Sequence, residues 1–483
     1  MGVHNKERRQ DKAKDRQRRA RARAGAGHQR LGHHNRCSEC ERMSHGDAVA
    51  LLVLSASMTF RHGVPAAANP NVRRLAELYD SDDERAGHVD AALVALVNEQ
   101  IDGVWQEGWQ PADVARVLRR NGTELAAAMA ADCMAAHLDA FAPTMVDERF
   151  RAQLAALRAD PEGGKVAGFL RRWVQRTGAD STTVVCATIE LADALGHLPE
   201  LPRLVPPPGH ASWAPQPRSG ETVDPKLLER VRALLAKAEA SEYGAEADSF
   251  TAKAQELMVR HSIDQALLAP GTGAADEPSG IRIGLDNPYE AEKAMLLDRV
   301  ATANRCKAVW SRYLGFVTVL GYPADLRAVE LLYTSLLVQV SGAMLREGSR
   351  RTAFGGSRTR SFRQSFLSAF ATRIGERLSG VTESGIREGA AGDSRLLPVL
   401  AGRGQAVRLL TEELFPDLTH DQRGKHTYDR EGWAMGTHAA DLAALTAIPS
   451  ITDHRTAGDP AVTHPMIQVE AVQDTLFPVP HKI

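Results

Sequence analysis

Between residues 72 and 198, apolar residues recur at the three- and four-residue spacing of amphipathic helices. One of these helices has clear ends, because Pro111 and Asp113 are typical of a first helical turn and Gly122 is typical of the residue after a last one. Thr123 can cap the next helix. The same spacing predicts further helices near 146–158, 163–177 and 181–195.

Two more amphipathic helices form the best-specified part of the sequence. Asp224 can cap the first, Gly244 ends it, and the second runs on to about His261. Neither helix can bury its apolar face alone, so the pair predicts an antiparallel αα-hairpin that packs against a further element. The apolar positions are Leu227, Leu228, Val231, Leu234, Leu235 and Ala238 in the first helix and Ala247, Phe250, Ala254, Leu257 and Met258 in the second.

Beyond residue 283 the pattern mixes helical and strand periods. Residues 307–310 and 315–320 predict short strands, the second with three consecutive β-branched residues, and Pro323 opens a long helix. A strand is also expected at 398–401. Other helices are expected at 290–302, 361–378, 404–414 and 432–446. We therefore predict a mainly α, multi-domain helical protein with a small α+β C-terminal unit that contains a few short strands.

The length of the chain predicts two or three packed units, because a single core stops growing at roughly 250–300 residues and this chain has 483. Proline-rich, non-periodic stretches mark the boundaries. The predicted organisation is a disordered basic arm (1–36), an N-terminal helical domain (37–197), a Pro-rich linker (198–222), the αα-hairpin (223–268), a second linker (269–282), a C-terminal α+β domain (283–447) and a tail (448–483).

The net charge of −1 hides an asymmetry. Residues 1–36 contain twelve Lys and Arg against three acids, a balance of +9, so the remaining chain carries −10. A basic arm on a mildly acidic body is typical of a tail that contacts DNA, RNA or another polyanion. The alternative is a solvated tail without a specific partner.

A second basic cluster precedes the 361–378 helix, where six arginines are opposed in the local sequence only by Glu347. Gly355 and Gly356 allow close approach of the backbone to a ligand, and a loop of Arg and Gly that leads into a helix N-terminus suits a phosphate. The loop lacks the P-loop pattern, and a solvated surface loop is the alternative. The candidate nucleic-acid- or phosphate-binding residues are Arg350, Arg351, Arg358, Arg360 and Arg363.

A compact His and Cys cluster follows the arm. Cys37 and Cys40 form a Cys-x2-Cys pair, and His33 and His45 on either side could complete a tetrahedral structural zinc site, with His34 as a rival ligand. The stronger pattern of two such pairs is missing. The alternative is a segment without metal.

Other constellations favour structural roles. The helix pair at 110–138 resembles a helix-turn-helix in spacing only, because its second helix has no Arg, Lys, Asn or Gln to reach base edges. The polar segment 420–429, which holds His420, His426 and Asp429, fits no known metal-ligand spacing and is interpreted as a loop. The isolated cysteines are interpreted as small buried apolar residues, and they are Cys133, Cys186 and Cys306.

No recognised catalytic motif occurs in the sequence, which lacks a Walker A motif, a dinucleotide fingerprint, a nucleophile elbow and the kinase set. No apolar run reaches the ~18–20 residues that a membrane span needs. The cysteine count of five is too low and odd for a disulfide framework. We therefore predict a cytoplasmic protein without a membrane partner.

The hairpin resembles a bacterial and phage module, the domain of unknown function 2786, through the runs RVRALLAKAE and KAQELMVRHSID at their present separation. Residues 296–306 (LLDRVATANRC), GYPADLRAVELLYTSLLVQ, SFRQSFLSAFATRIGERL and GWAMGTHAADLAAL resemble the companion domain that often follows that module. The resemblance implies a domain boundary and no particular chemistry.

Three hypotheses on function follow. The first is a nucleic-acid-associated binding or regulatory protein that uses the basic arm and the arginine loop. The second is an enzyme for a phosphate-bearing substrate, which requires the loop and the 420–429 segment to meet. The third is a protein–protein scaffold whose hairpin is completed by a partner, and its mark would be an exposed apolar patch on the hairpin.

Overall fold

A computed structural model describes residues 44–81, 83–122, 124–210, 277–351, 356–420, 429–443 and 467–468, together with Lys253 and Leu257. Within these ranges helices predominate. They are α1 (His45–Arg61), α2 (Pro70–Ser81), α3 (Asp83–Gln106), α4 (Pro111–Asn121), α5 (Glu124–Leu138), α6 (Glu148–Ala156), α7 (Pro161–Gly164), α8 (Phe169–Thr177), α9 (Ser181–Gly196), α10 (Glu290–Ala303), α11 (Pro323–Arg346), α12 (Thr359–Gly392), α13 (Leu396–Leu414) and α14 (Arg430–Leu442), with short 3-10 turns at Ala66–Ala68 and Pro143–Met145.

The strands lie in the C-terminal half. β1 (Ser279–Gly284), β2 (Lys307–Ser311) and β3 (Phe316–Gly321) form an antiparallel sheet in the order β1-β3-β2. Every residue of β3 is buried, which suits the β-branched residues of this central strand. Two strands of two residues each, β4 (Thr419–His420) and β5 (Ile467–Gln468), extend the sheet beyond β2.

Contacts divide the chain into two units. The first comprises residues up to Leu96 and Val166–Ile189. In it, Asn69 is fully buried and its side-chain amide donates to the carbonyl of Ala56 at 2.9 Å. The N-cap of α8 is Gly168, which has no capping side chain, and the buried carboxylate of Asp90 accepts from the backbone N–H of Leu170 instead. Burial raises the pKa of Asp90.

The second unit comprises Val97–Lys165 and Glu190–Ile483. Its main core joins the sheet to α10, α11, α12 and α14, and the α12 face with Phe362, Phe366 and Phe370 is buried in it. Gly432 and Gly436 of α14 lie against the carbonyls of Phe362 and Phe366, so closely that a Cβ at either glycine would collide with the α12 backbone. Leu257 also packs against this core.

Buried charges join α4 to β1 within the second unit. Arg282 of β1, whose side chain is 2% exposed, donates to Asp113 Oδ2 at 2.8 Å, to the Gly108 carbonyl at 2.9 Å and to the Pro202 carbonyl at 2.6 Å. Its guanidinium also lies over the ring of Phe316 at 5.6 Å. Two more pairs continue along α4, and they are Arg116 with Asp286 and Arg120 with Glu290.

The predicted fold class is confirmed, since the protein is mainly helical with a small antiparallel sheet in its C-terminal half. Two details of the prediction are wrong. Residues 398–401 lie inside α13 rather than in a strand, because Leu396 and Leu400 bury one helical face and Pro398 occupies the first turn, where its missing N–H costs nothing. The expected helix at 163–177 is interrupted before α8, where Gly168 adopts φ 71°.

Candidate nucleic-acid and phosphate interface

The arginine loop between α11 and α12 is closed at its base by backbone contacts. The Arg350 N–H donates to Thr359 Oγ1 at 3.0 Å, and the Arg358 N–H donates to the Arg350 carbonyl at 3.1 Å. Arg351 and Ser357 form an isolated antiparallel bridge. The five candidate arginines therefore start from a fixed backbone, whereas 352–355 lie outside the described residues.

Two of the five arginines contact carboxylates. Arg350 pairs with Glu347 Oε2 at 2.7 Å and with Glu431 Oε1 at 3.2 Å, and its guanidinium lies over the Phe362 ring at 4.9 Å. Arg358 pairs with Asp429 Oδ2 at 3.0 Å and also with Glu431. The hydrogen bond to Glu431, and then the charge of Asp429, raise the pKa of Arg358, so its guanidinium stays protonated.

Asp429 links the loop to the start of α14. It is buried, its Oδ1 caps α14 by accepting from the Gly432 N–H at 2.9 Å, and its own N–H donates to Ser365 Oγ at 2.9 Å. Because its other oxygen accepts from Arg358, both carboxylate oxygens are engaged. This role could not be predicted from the sequence, because Asp429 is 71 residues from Arg358 along the chain.

The remaining three arginines have no ion-pair partner among the described residues. Arg351 and Arg360 are exposed, and Arg363 is half-buried, with its Nε buried and without a hydrogen-bond partner in the described part of the chain. The five candidate arginines outnumber the three carboxylates that contact two of them, so these side chains together carry a net charge of +2.

The N-terminus of α12 adds to this positive field. Its N-cap is Arg358, which makes no side-chain cap hydrogen bond, and no acidic residue lies in its first turn. A helix N-terminus carries a partial positive charge that Asp or Glu normally balances. Here arginines surround it instead, so this end of α12 has the electrostatic character of an anion site.

The 420–429 segment and the arginine loop do meet, as the enzyme hypothesis requires, through Arg358 and Asp429. His426 and Tyr428 lie outside the described residues, and of His420 only the backbone, in β4, is described. Both oxygens of Asp429 already accept a hydrogen bond, one as the cap of α14 and one from Arg358.

The zinc prediction falls mostly outside the described residues. His33, Cys37 and Cys40 are not described, and His45 is the exposed first residue of α1. Within the described ranges no group of three or more His, Cys, Asp or Glu side chains is placed to hold a metal ion. The proposed zinc ligands therefore remain a prediction.

The three described cysteines are buried and free, as predicted. Burial raises the pKa of Cys133 to about 12, and it also raises that of Cys306. Thiols protonated at neutral pH are neither nucleophiles nor metal ligands. α5, rejected as a recognition helix, has most of its residues buried, which fits a packing role.

An open apolar cleft of about 200 Å³ lies elsewhere in the second unit. None of the five arginines lines it, and this volume is below the ~300–1,000 Å³ of most small-molecule sites. Its walls are the 199–202 segment, the β2–β3 turn and the residues that follow α13, with Tyr313 and Phe415 as the aromatic members.

Comparison with known proteins gives one match. Residues 226–265 match the family described as protein of unknown function (DUF2786), which is the stretch that the hairpin resemblance identified. The match covers forty of the 483 residues and does not extend to the companion domain. No curated protein and no solved structure matches the chain. The hairpin, including the surface that the scaffold hypothesis invokes, lies outside the described residues except for Lys253 and Leu257.

Proposed function

We propose that the protein is a nucleic-acid-associated binding or regulatory protein that contacts phosphates through its basic arm and through the loop before α12. The observation that carries the proposal is the separation of charges within the loop. Arg350 and Arg358 are held by carboxylates, whereas Arg351 and Arg360 are exposed beside an uncapped helix N-terminus. The inner pair would fix the loop and the outer pair would contact the phosphates.

The basic arm supports the same partner. Its balance of +9 over residues 1–36 can neutralise phosphates without a folded interface. The arm would supply most of the affinity in a way that does not depend on base sequence, and the loop would add contacts from a fixed position. Binding of this kind weakens steeply as salt rises, because each phosphate contact releases a counterion.

The experiment is a mobility-shift titration over a salt series with a DNA duplex and a single-stranded RNA. We compare the full chain, an arm-deleted chain (37–483), and the arm-deleted chain with Arg351→Ala and Arg360→Ala. The matched control is Arg387→Ala with Arg408→Ala, which removes the same charge from exposed sites on α12 and α13. The loop variant should lower the salt slope by roughly one per arginine, and the control should leave it unchanged.

Undetectable or salt-independent binding by both the full and the arm-deleted chain would remove the proposal. Equal losses of affinity in the loop variant and in its control would mean that overall positive charge, and not the loop, is responsible for binding.

A second candidate is an enzyme for a small phosphate-bearing substrate, and the contact between the loop and Asp429 favours it specifically. The same variants titrated with inorganic phosphate and nucleotides distinguish the two. Saturable binding of a small phosphate, lost with Arg351→Ala and Arg360→Ala and unaffected by arm deletion, would favour the enzyme. Binding of polymers alone would favour the first proposal.

A further inference from the structure

α11 carries apolar side chains on two opposite faces. One face, with Val329, Leu332 and Leu336, is fully buried in the main core. On the other face Val338 is 55% exposed and Leu345 is 64% exposed. By length and composition alone this helix could cross a membrane, yet only 44% of its most apolar window is buried. The outer face is thus an apolar surface without a described partner.

Apolar residues on the outer side of α11 follow a seven-residue repeat. Leu331, Val338 and Leu345 are each seven positions apart, and Thr334 and Ser341 lie between them at the alternate positions of a heptad. Val338 and Leu345 are exposed, whereas Leu331 is half-buried and also packs against the main core. Scattered surface hydrophobics have no such spacing, whereas a helix that packs along a second helix does. The small side chains between the apolar ones would allow the two backbones to come close.

The outer face is also nearly symmetric about Val338. Leu331 and Leu345 lie seven residues before and after it, and Glu330 and Arg346 lie eight residues before and after it. An antiparallel pair of such helices would place Leu331 against Leu345 of the other copy. Each end of the contact would hold a Glu330 and an Arg346, whereas a parallel pair would bring like charges together. The side chains of Glu330 and Arg346 are both exposed, and neither has an ion-pair partner among the described residues.

We propose that the outer face of α11 is a self-association surface, on which two copies of this chain pair antiparallel with Val338 at the two-fold axis. The contact is isologous, since the same patch serves both copies. The occupant is a second copy because the face is complementary to itself in apolar spacing and in end charge. This inference does not depend on nucleic-acid binding.

The first test is sedimentation of the full chain from low micromolar to near-millimolar concentration. The wild type should form a dimer, and Val338→Glu or Leu345→Glu should raise its dissociation constant about tenfold or more. Both positions are exposed, so either variant should fold, and circular dichroism checks this. The matched control is Leu409→Glu on α13, which is 57% exposed and should leave the dimer intact.

The second test fixes the direction of the pair. Glu330→Arg and Arg346→Glu should each weaken the dimer, and the double reversal should restore it, because opposite charges then meet again at each end. In a background with Cys37→Ser and Cys40→Ser, Val338→Cys should form an intermolecular disulfide. Leu345→Cys should cross-link only when mixed with Leu331→Cys chains.

Three outcomes would overturn the inference. One is a wild-type chain that stays monomeric over the whole range. Another is a dimer that survives both Val338→Glu and Leu345→Glu. The third is a monomer that binds vesicles of mixed neutral and anionic lipid and loses that binding in Val338→Glu, since a membrane would then be the occupant of this face.

Discussion

Two groups of arginines in the second unit differ in how many of their members have a carboxylate partner. At the α4–β1 contact, Arg282, Arg116 and Arg120 each have a carboxylate partner, and Arg282 is almost fully buried. In the loop before α12, Arg351 and Arg360 have no carboxylate partner among the described residues and face solvent. The number of arginines in a cluster therefore does not by itself indicate a binding site. The number of carboxylates that pair with them decides which arginines stay available to a ligand.

The physical reason for this difference lies in desolvation. A guanidinium removed from water must recover its lost hydration from carboxylates and carbonyls, so Arg282 has three oxygen partners on three segments. An exposed guanidinium keeps its water until a ligand displaces it. We expect substitutions in the first group to change stability and substitutions in the second to change binding.

The largest expected effect is at Arg282. Arg282→Met keeps the apolar stem of the side chain but removes the guanidinium and leaves Asp113 buried without its partner, which should lower the free energy of unfolding by about 3–5 kcal/mol. The urea midpoint followed by circular dichroism measures this loss. The matched control is Arg395→Met, whose ion pair with Asp393 is exposed and which should cause no measurable shift.

A second variant separates the causes of that loss. Arg282→Met combined with Asp113→Leu removes both charges and should recover part of the stability, because a buried pair is often replaceable by apolar side chains. Full recovery would show that the bonds to the Gly108 and Pro202 carbonyls contribute nothing. If Arg282→Met is no worse than Arg395→Met, the contrast between the two groups is wrong.

The next effect is at Asp429, where stability and binding should move in opposite directions. Asp429→Ala removes the cap of α14 and should cost about 1–2 kcal/mol. It also removes a negative charge that holds Arg358, so affinity for DNA should rise. Asp429→Asn keeps a capping oxygen and should raise affinity with little loss of stability. Urea unfolding and the mobility-shift titration measure the two changes separately.

Glu431→Gln is the matched control for charge without the cap. It should raise affinity as Asp429→Asn does and leave the urea midpoint nearly unchanged. If none of the three variants raises affinity, the carboxylates do not limit phosphate binding at the loop.

The local patterns in the sequence account for much of the fold. The helical spacing over 361–378 predicted α12, and the β-branched run predicted β3. β1 was not predicted as a strand, because it follows a linker and is specified by pairing with β3 about forty residues later. A strand defined by its partner has little pattern of its own.

The charge pairs could not be predicted for the same reason. Arg282 and Asp113 are 169 residues apart, and Arg358 and Asp429 are 71 apart, so no local spacing indicates either pair. The sequence identified the five loop arginines as one group of equal members. Their division into an inner and an outer set is a tertiary property, and it decides which of them can bind.

The smallest expected effect concerns His137 of α5, which contacts two residues of α3. His137 Nε2 lies 3.0 Å from Asp102 Oδ1, and the Trp105 indole N–H donates to His137 Nδ1 at 3.3 Å. Burial lowers the pKa of His137 below its ordinary 6.5, against the opposing effect of Asp102. The neutral imidazole suits this site, because Nδ1 accepts the hydrogen bond from the Trp105 indole N–H and could not accept it if it were protonated.

The sign of the pH effect follows from this lowered pKa. The unfolded chain takes up the proton at a higher pH than the folded chain. The stability that the neutral His137 ring contributes is therefore fully present above pH 6.5 and is lost as the pH falls through the lowered pKa of the folded state. From about pH 8 to about pH 5 the urea midpoint of His137→Gln should fall less than that of the wild type. His438→Gln, at an exposed site on α14, should match the wild type. Parallel curves for wild type and His137→Gln would mean that protonation of this ring is not coupled to folding.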